Sequence, residues 1–549
     1  MSDRTVADVV GETLANLGAD LVFGVVGRGN FHVTNALVAH GARFVATRHE
    51  GGAATAADAY ARVSGKPGVV TVHQGGGLTN AMTGIAEAAK SRTPMIVLAA
   101  EPAAAPRSNV RVDQDALARA VGAVAERVHG PATAVADTAR AWRTAVGERR
   151  TVVLHLPVDV QAAIAEPADL PPAPAVQPPR ASDDAVTALA HLLKGAERPV
   201  FIAGRGALAA RAELIELAEA CGALLATSAA AKGLFAGSDW NLDVSGGFAT
   251  PLAAELIRAA DVVIAWGASL NMWTSRHGRL IAPEAAVAQV DLEASALGAQ
   301  HRVDLGICGD VRLTAVAVTA ALTAGGTGAD TGARTDGVRA KLRDRGRWRD
   351  VAYSDDGDGD DTRIDPRTLS IALDDLLPAQ RVVAVDSGNF MGYPSMFLSV
   401  PDHQGFCFTQ AFQAVGLGLA SALGAALASP GRLAVAACGD GGFLMGIAEL
   451  DTIRRVSPGT LIVIYNDEAY GAEVHHFGPS GHPLSTVTFP QTDLAAIARG
   501  HGCAAVTVRG PEDLGPVRAW LAGPRDTPMV IDAKVTTGRP SWWLEEAFR

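Results

Sequence analysis

The sequence predicts an α/β protein built as three doubly wound parallel-sheet domains. Two observations carry the prediction. Short, continuous apolar runs rich in β-branched residues alternate throughout with Ala- and Leu-rich stretches, the pattern of strands covered on both faces by helices. Two stretches rich in Pro, Gly and Asp break the 549-residue chain into three segments of ordinary domain size.

In the first segment, residues 1–168, the apolar runs are GVVTV (68–72), PMIVLAA (94–100) and TVVLHLPV (151–158). The break at 165–184 holds six prolines, which donate no backbone hydrogen bond, so it should cross a surface in extended form. In the middle segment, 184–325, PVFIAG, LLAT, DVVIAWG and AVAQVDL repeat the pattern. The second break, 324–363, places GGTGADTGARTDG and SDDGDGDD around VRAKLRDRGRWRDV, which reads as a charged helix. The last segment, 363–549, carries RVVAVDSG, RLAVAACGDGG, TLIVIYND and PMVIDAKV. Open sheets of this kind bind ligands beyond the carboxyl ends of their strands, so the residues after these runs are the site candidates.

Composition agrees. At about 150 residues per domain the length suits three or four domains. With 48 % apolar and 19 % charged residues, global disorder is excluded. Glycine (59 residues) outweighs aromatics (5 %), which suits tight turns and small-residue packing. A formal charge of −11, with no Lys/Arg-rich run, argues against nucleic acid as the partner. Cys221, Cys308, Cys407, Cys438 and Cys503 are too scattered for a zinc cluster or a disulfide framework and fit a reducing compartment. There is no basic segment followed by an apolar core at the start, and no uninterrupted apolar stretch of about eighteen residues. These features read as a cytoplasmic protein without a membrane partner.

The chemistry begins in the last segment. Gly439-Asp440-Gly441 ends an apolar run and opens a helical stretch, where backbone N–H groups favour a phosphate. Asn466-Asp467 follows the next apolar run, with Asp467 27 positions beyond Asp440. Either alone reads as a turn. Together they bring oxygen-bearing side chains from neighbouring strand ends to one hard cation, and Mg²⁺ held by few protein oxygens suits a diphosphate ligand.

Here the chain resembles the thiamine diphosphate-dependent enzymes, the acetolactate synthases, benzoylformate decarboxylases and pyruvate decarboxylases. Their cofactor motif is GDG followed by a pair usually read Asn-Asn. The resemblance implies that Asp440, Asp467 and the carbonyl of Ala469 hold Mg²⁺ or Ca²⁺, with Asp467 standing where Asn is usual. It likewise implies cofactor contacts at Gly439, Gly441, Gly442, Tyr470 and Gly471. FVATRHEGGAATAADAYARVSG is similar to the family's RHE-x-x-A-x-x-A-A-x-x-Y-A-R pattern and makes Glu50 the activating glutamate. A carboxylic acid beside the aminopyrimidine nitrogen favours the imino tautomer, which can take the proton from the thiazolium carbon. QAFQAVGLGLASALGAALASP (410–430) resembles a family helix that wedges an apolar residue between the cofactor rings. Val415 aligns with the wedge, and the Gln413 carbonyl with the acceptor for the cofactor amino group. On pattern alone this is a buried helix packed through Gly416, Gly418 and Gly424. DSGNFMGYP (386–394) resembles the diphosphate loop and implies contacts from Gly388 and Asn389, with Phe390 in place of the usual His.

Substrate-facing candidates follow the same resemblance. His73, at a strand end 23 positions beyond Glu50, is similar to the histidine loop of benzoylformate decarboxylase and would protonate an intermediate or bind a carboxylate. Gln114 matches a glutamine near the substrate of acetolactate synthase-like members. Arg28, in the first strand-to-helix loop, could grip a carboxylate bidentately. Glu473 matches a general-acid glutamate of pyruvate decarboxylase, and His475 and His476 follow it on one helix. A structural histidine is the alternative for His73, and an ordinary surface role for the others.

RPVFIAGRGA and SAAAKGLF place the family's central domain, which binds FAD in some members and nothing in others; Gly204-Arg205-Gly206 is a commonplace turn, so FAD is not favoured. WGASLNMWTSRHGRL (266–280) should reach toward the active site. Asp356-x-Asp358-x-Asp360 imitates the start of an EF-hand without its later Gly and Glu and reads as an acidic linker. Trp542, Trp543 and Glu545 close over the pocket or lie at a subunit interface.

The domains implied are pyrimidine-binding (1–168), central (184–325) and diphosphate-binding (363–549). The resemblance implies a homodimer or homotetramer in which Glu50 and Asp440 of one site come from different chains. The activity implied is thiamine diphosphate- and Mg²⁺-dependent cleavage of a 2-oxo acid or related ketone through an acyl-anion stage, with transfer of the acyl unit to an acceptor. Release of an aldehyde by simple decarboxylation is the alternative, and a catalytically silent binding protein of the same fold a remote one.

Overall fold

Strands form where the apolar runs fall. The computed structural model describes residues 4–103, 107–170, 176–324, 332–355 and 362–544; the Asp356-x-Asp358-x-Asp360 pattern and Glu545 lie outside the described residues. The first sheet takes β1 (Leu21–Gly24), β2 (Arg43–Ala46), β3 (Gly68–Val72), β4 (Met95–Glu101), β5 (Val124–Arg127) and β6 (Thr151–Pro157) in the order β2-β1-β3-β4-β6-β5. The second takes β7 (Pro199–Ala203), β8 (Leu224–Thr227), β9 (Asn241–Val244), β10 (Val262–Trp266), β11 (Ala286–Asp291) and β12 (Leu305–Cys308) in the order β12-β11-β10-β7-β8-β9. The third takes β13 (Arg381–Val385), β14 (Phe406–Phe408), β15 (Leu433–Gly439), β16 (Leu461–Asn466), β17 (Ala504–Val508) and β18 (Met529–Lys534) in the order β14-β13-β15-β16-β18-β17. All three sheets are parallel, with helices between successive strands, as the predicted fold class requires. Gly439 of β15 pairs with Tyr465 of β16, so Asp440 and Asp467 leave adjacent strand ends.

The charged helix of the second break forms at Asp336–Arg345, capped by the Thr335 side chain. The stretch 410–430 departs from the expected helix. Only Gly418–Ala428 is helical, and 410–417 is a loop. Gln413 (φ 61°) and Gly416 (φ 93°) are left-handed, and the N–H groups of Gly416 and Leu417 donate to the Asp386 carboxylate. Gly416 therefore lies outside the helix in which the pattern put it.

The first and third sheets are joined through a helix pair. The helix Glu50–Ser64 is nearly half alanine and lies along Gly418–Ala428. A Cβ at Gly424 would overlap the carbonyl oxygen of Ala56. Ala53, Ala56, Ala57 and Tyr60 share one buried core with Leu419, Ala422 and Leu423. Side chains this small let two backbones touch, and every atom of the seam then packs at interior density. No helix among the described residues is long and apolar enough to cross a membrane.

Candidate active site

The carboxyl ends of β13, β15 and β16 lie side by side in the third sheet. Past β13, Asp386 is fully buried, and its Oδ1 accepts N–H groups from Ser387 (2.8 Å), Gly416 (3.0 Å) and Leu417 (3.1 Å). Burial pushes its carboxyl up to about 6 against the pull of those donors. β15 runs into Gly439 and the helix Asp440–Met445. Asp440 is hydrogen-bonded to Asp467, and Asp467 Oδ1 accepts the N–H of Ala469 at 3.3 Å. Burial raises Asp440 to about 6; burial and the facing Asp440 raise Asp467 well above the ordinary carboxylate range. The turn that presents Asp467 is held from behind: Glu468 (φ 58°) pairs with Arg363 at 2.8 Å, and Asn466 donates to Asp532 at 2.7 Å. Gly441, Gly442 and Gly471 leave space that a Cβ would take from the Tyr470 ring, Asp386 and Asp467 respectively.

Gly388 (φ 140°) turns the chain beyond β13. Phe390 is buried, stacks on Tyr465 at 5.4 Å and lies against both Gly388 and Gly439, where the resemblance has a histidine. Asn389 Oδ1 accepts the N–H of Ser541, and its carbonyl accepts the indole N–H of Trp543. The segment Ser541–Leu544 is thus docked on the Asn389 turn, and Trp543 reaches Trp273 of the 266–280 stretch at 5.7 Å. Gln413 is exposed beside Val415, which is 41 % exposed, and Phe412, Leu444, Met445, Tyr470 and Phe477 are exposed as well. Glu473 and His476 are exposed and His475 half-buried on the helix Gly471–Phe477.

In the first domain, Glu50 opens its helix, where a carboxylate suits the dipole; His49 caps it by accepting the Gly51 N–H, and left-handed Gly65 ends it. Glu50 Oε2 accepts from Asn80 Nδ2 at 3.1 Å. Glu50 and His73 both lie against Gly77: a Cβ there would sit 3.4 Å from Glu50 Oε1 and 3.2 Å from His73 Cβ. His73 Nδ1 accepts the N–H of Gly29 at 3.1 Å, so a neutral ring carries its proton on Nε2. Arg28, in the same Gly27–Gly29 turn, is exposed. Gln114 is 1 % exposed; its Oε1 accepts the Gly75 N–H and its Nε2 donates to the Ala100 carbonyl, both at 3.1 Å. Its amide braces the His73–Gly77 loop from behind. The adjoining imidazole of His155 is pushed down to about 4 by burial.

Three family models match this chain in the order of its sheets: "Thiamine pyrophosphate enzyme, N-terminal TPP binding domain" over residues 4–122, the central domain over 186–318, and the C-terminal TPP binding domain over 386–533. The chain belongs to the thiamine pyrophosphate enzyme family. It is 31 % identical to the probable 2-ketoarginine decarboxylase AruI of Pseudomonas aeruginosa, over 91 % of this chain and 88 % of that one. It is 27 % identical to the sulfoacetaldehyde acetyltransferase of Alcaligenes xylosoxydans xylosoxydans, over 92 % of this chain and 88 % of the relative. It is 25 % identical to the chloroplastic acetolactate synthase 2 of Brassica napus, over 93 % and 82 %.

As a member of the thiamine pyrophosphate enzyme family, the protein is an enzyme of transferase or lyase type that uses thiamine diphosphate. Its residues fit a cation beside a diphosphate. Asp440 and Asp467 cannot both be ionised at hydrogen-bonding distance without a proton or a cation between them. The two facing carboxylates supply hard oxygen donors of the kind Mg²⁺ takes beside phosphate oxygens. Sequence reasoning passed over Asp386, which ends an apolar run just as the motif residues do, and it passed over Glu87 and Glu449, charged residues on apolar helix faces.

Proposed function

We propose that this enzyme uses Mg²⁺ with thiamine diphosphate to cleave a 2-oxo acid, releasing CO₂ and an aldehyde. The observation that carries the reading is the pinned His73, which presents an N–H donor beside Glu50. Thiamine diphosphate, when bound, supplies the electron sink that lets the bond to the carboxylate carbon break. In this reading Asp440, Asp467 and the Ala469 carbonyl hold the cation, and Gly388, Asn389, Gly439, Gly441, Gly442, Tyr470 and Gly471 line the diphosphate. Gln413 and Val415 seat the aminopyrimidine, and Glu50 keeps a proton at its ring nitrogen. Arg28 binds the substrate carboxylate, His73 delivers a proton from Nε2, and Gln114 keeps the His73 loop in place. Glu473 is a second proton donor from the exposed helix.

The exposed Val415, Phe412, Leu444, Met445, Tyr470 and Phe477 support a homodimer or homotetramer whose partner covers them. Domains 1–168, 184–325 and 363–549, a cytoplasmic location and no required FAD complete the reading.

Transfer of the acyl unit to an acceptor is the second reading, favoured by the similarity to an acetyltransferase and to acetolactate synthases. The two are separated by supplying pyruvate, 2-ketoarginine and larger 2-oxo acids with Mg²⁺ and thiamine diphosphate, then identifying products by mass. Free aldehyde supports the first reading and a coupled product the second. Cofactor-dependent CO₂ release from none of them sinks both.

Mg²⁺ affinity should rise with pH. Asp440 keeps its proton up to about pH 6 in the cation-free protein, Asp467 holds its proton more tightly still, and bound cation displaces the protons. Apparent affinity should therefore fall about tenfold per pH unit where one of the two protons is displaced, about a hundredfold per unit below both transitions, and level off above them. Tryptophan fluorescence during Mg²⁺ titration, from acid to mildly basic pH, reads this directly; a flat profile removes the pair from the cation site.

A further inference from the structure

Two buried carboxylates cross the boundary between the first and third domains in opposite directions. Glu87, on the first-domain helix Gly76–Lys90, is fully buried, and its carboxylate accepts the N–H groups of Ala411 (3.0 Å) and Phe412 (2.6 Å). Glu449, on the third-domain helix Ala448–Val456, is 2 % exposed and accepts the N–H groups of Arg48 (3.1 Å) and His49 (2.9 Å). The first pair of donors stands just before left-handed Gln413 and Val415, the second just before Glu50.

Glu87 is the one charged residue among the buried positions of its helix, beside Gly84, Ala86 and Ala88. A buried carboxylate is tolerated only where its oxygens are used. Those of Glu87 are used by the two loop N–H groups and by Arg62 at 2.6 Å, which also pairs with Asp58 at 2.7 Å. Burial pushes the Glu87 carboxyl upward, but Arg62 and the two N–H groups outweigh it and hold it below its ordinary range. Asp386 holds the other end of the same loop through Gly416 and Leu417. Gln413 and Val415 therefore project from a loop fixed at both ends. Across the boundary, Glu449 does the same for the turn into the Glu50 helix, supported by the Thr452 hydroxyl at 2.6 Å.

We infer that Glu87 and Glu449 are positioning residues, each reaching across the domain boundary to fix the other domain's cofactor-contacting segment. The inference rests on the reading of Gln413, Val415 and Glu50 as cofactor contacts. Loss of such a supporting partner changes ligand affinity or rate by about 10–100-fold. Glu87→Gln offers one oxygen where two were used and turns an NH₂ toward a backbone N–H. Thiamine diphosphate should then bind about 10–100-fold more weakly. The measurement is tryptophan fluorescence titration of the full chain with Mg²⁺ present. Glu87→Asp keeps the charge beside Arg62 but is a methylene too short for the loop, and it should weaken binding similarly. Glu449→Gln should leave cofactor affinity within about twofold and slow deuterium exchange at the cofactor's thiazolium carbon by about 10–100-fold.

If Glu87→Asp binds cofactor like the parent while Glu87→Gln does not, Glu87 merely balances Arg62 and the inference fails. It also fails if all three variants lose melting temperature alone, with affinity and exchange unchanged. Glu50→Gln and Val415→Ala distinguish the underlying reading: if neither moves affinity or exchange, the cofactor contacts themselves are misassigned.

Discussion

Glu50→Gln is expected to lower kcat by about 10²–10⁴-fold while thiamine diphosphate still binds. The substitution is isosteric, and Asn80 can still donate to the remaining oxygen. What disappears is a group that can hold a proton against a ring nitrogen and give it up again; an amide does not titrate and cannot pass a proton in either direction. Because Glu50 is only half-buried at the start of its helix, the melting temperature should move little, which separates chemistry from folding. Steady-state turnover and a cofactor titration on the same preparation make the test. Parent-like turnover would remove Glu50 from the mechanism, and loss of binding together with activity would make it a binding residue instead.

Gly424→Val should destabilise the protein by about 3 kcal/mol. The new Cβ would meet the Ala56 carbonyl and come within 2.9 Å of the Tyr60 backbone nitrogen. Both are helix backbone, so no flexible side chain can swing away. Separating the helices would open the shared core along its length. Gly431, where a Cβ meets nothing within 4 Å, supplies the control: Gly431→Ala should melt like the parent. Urea unfolding of both variants checks the pair. A Gly424→Val protein of unchanged midpoint would contradict the close approach of the two helices.

Most of the interior of this fold was readable in the chain, and its edges were not. The apolar runs mark β3, β4, β6, β7, β8, β10, β11, β13, β15, β16 and β18, all of them inside their sheets. The runs leave out β2, β5, β9, β12, β14 and β17, which are the six edge strands. An edge strand is covered by fewer neighbours, so its residues need not be continuously apolar: β5 (VAER) is partly exposed at every position. β1 is the interior exception, a strand of four residues too short to stand out.

The site divides similarly. Glu50, His73, Asp440 and Asp467 are legible because each follows a strand or begins a helix in a recognisable local pattern. Asp386, Glu87 and Glu449 take their meaning from partners far along the chain; Glu449 meets His49 across 400 positions. Gln114 is visible as a residue but not in its task, since Gly75 and His155 reach it only after folding. The expected helix over 410–430 failed for the same reason: the donors that would have extended it are taken by Asp386.

The seam between Glu50–Ser64 and Gly418–Ala428 also sets a timetable for biosynthesis. Roughly 360 residues separate Ser64 from Gly424, so a ribosome adding about 5–20 residues per second needs about 20–70 s to supply the second helix. Throughout that interval the nascent first domain shows an alanine-lined face with nothing to cover it. Its sheet can form early, but its last layer arrives only when translation is more than three-quarters complete. The face carries little large apolar surface, which limits what it can capture while it waits. Separating the chain between its first and third sheets would make that exposure permanent.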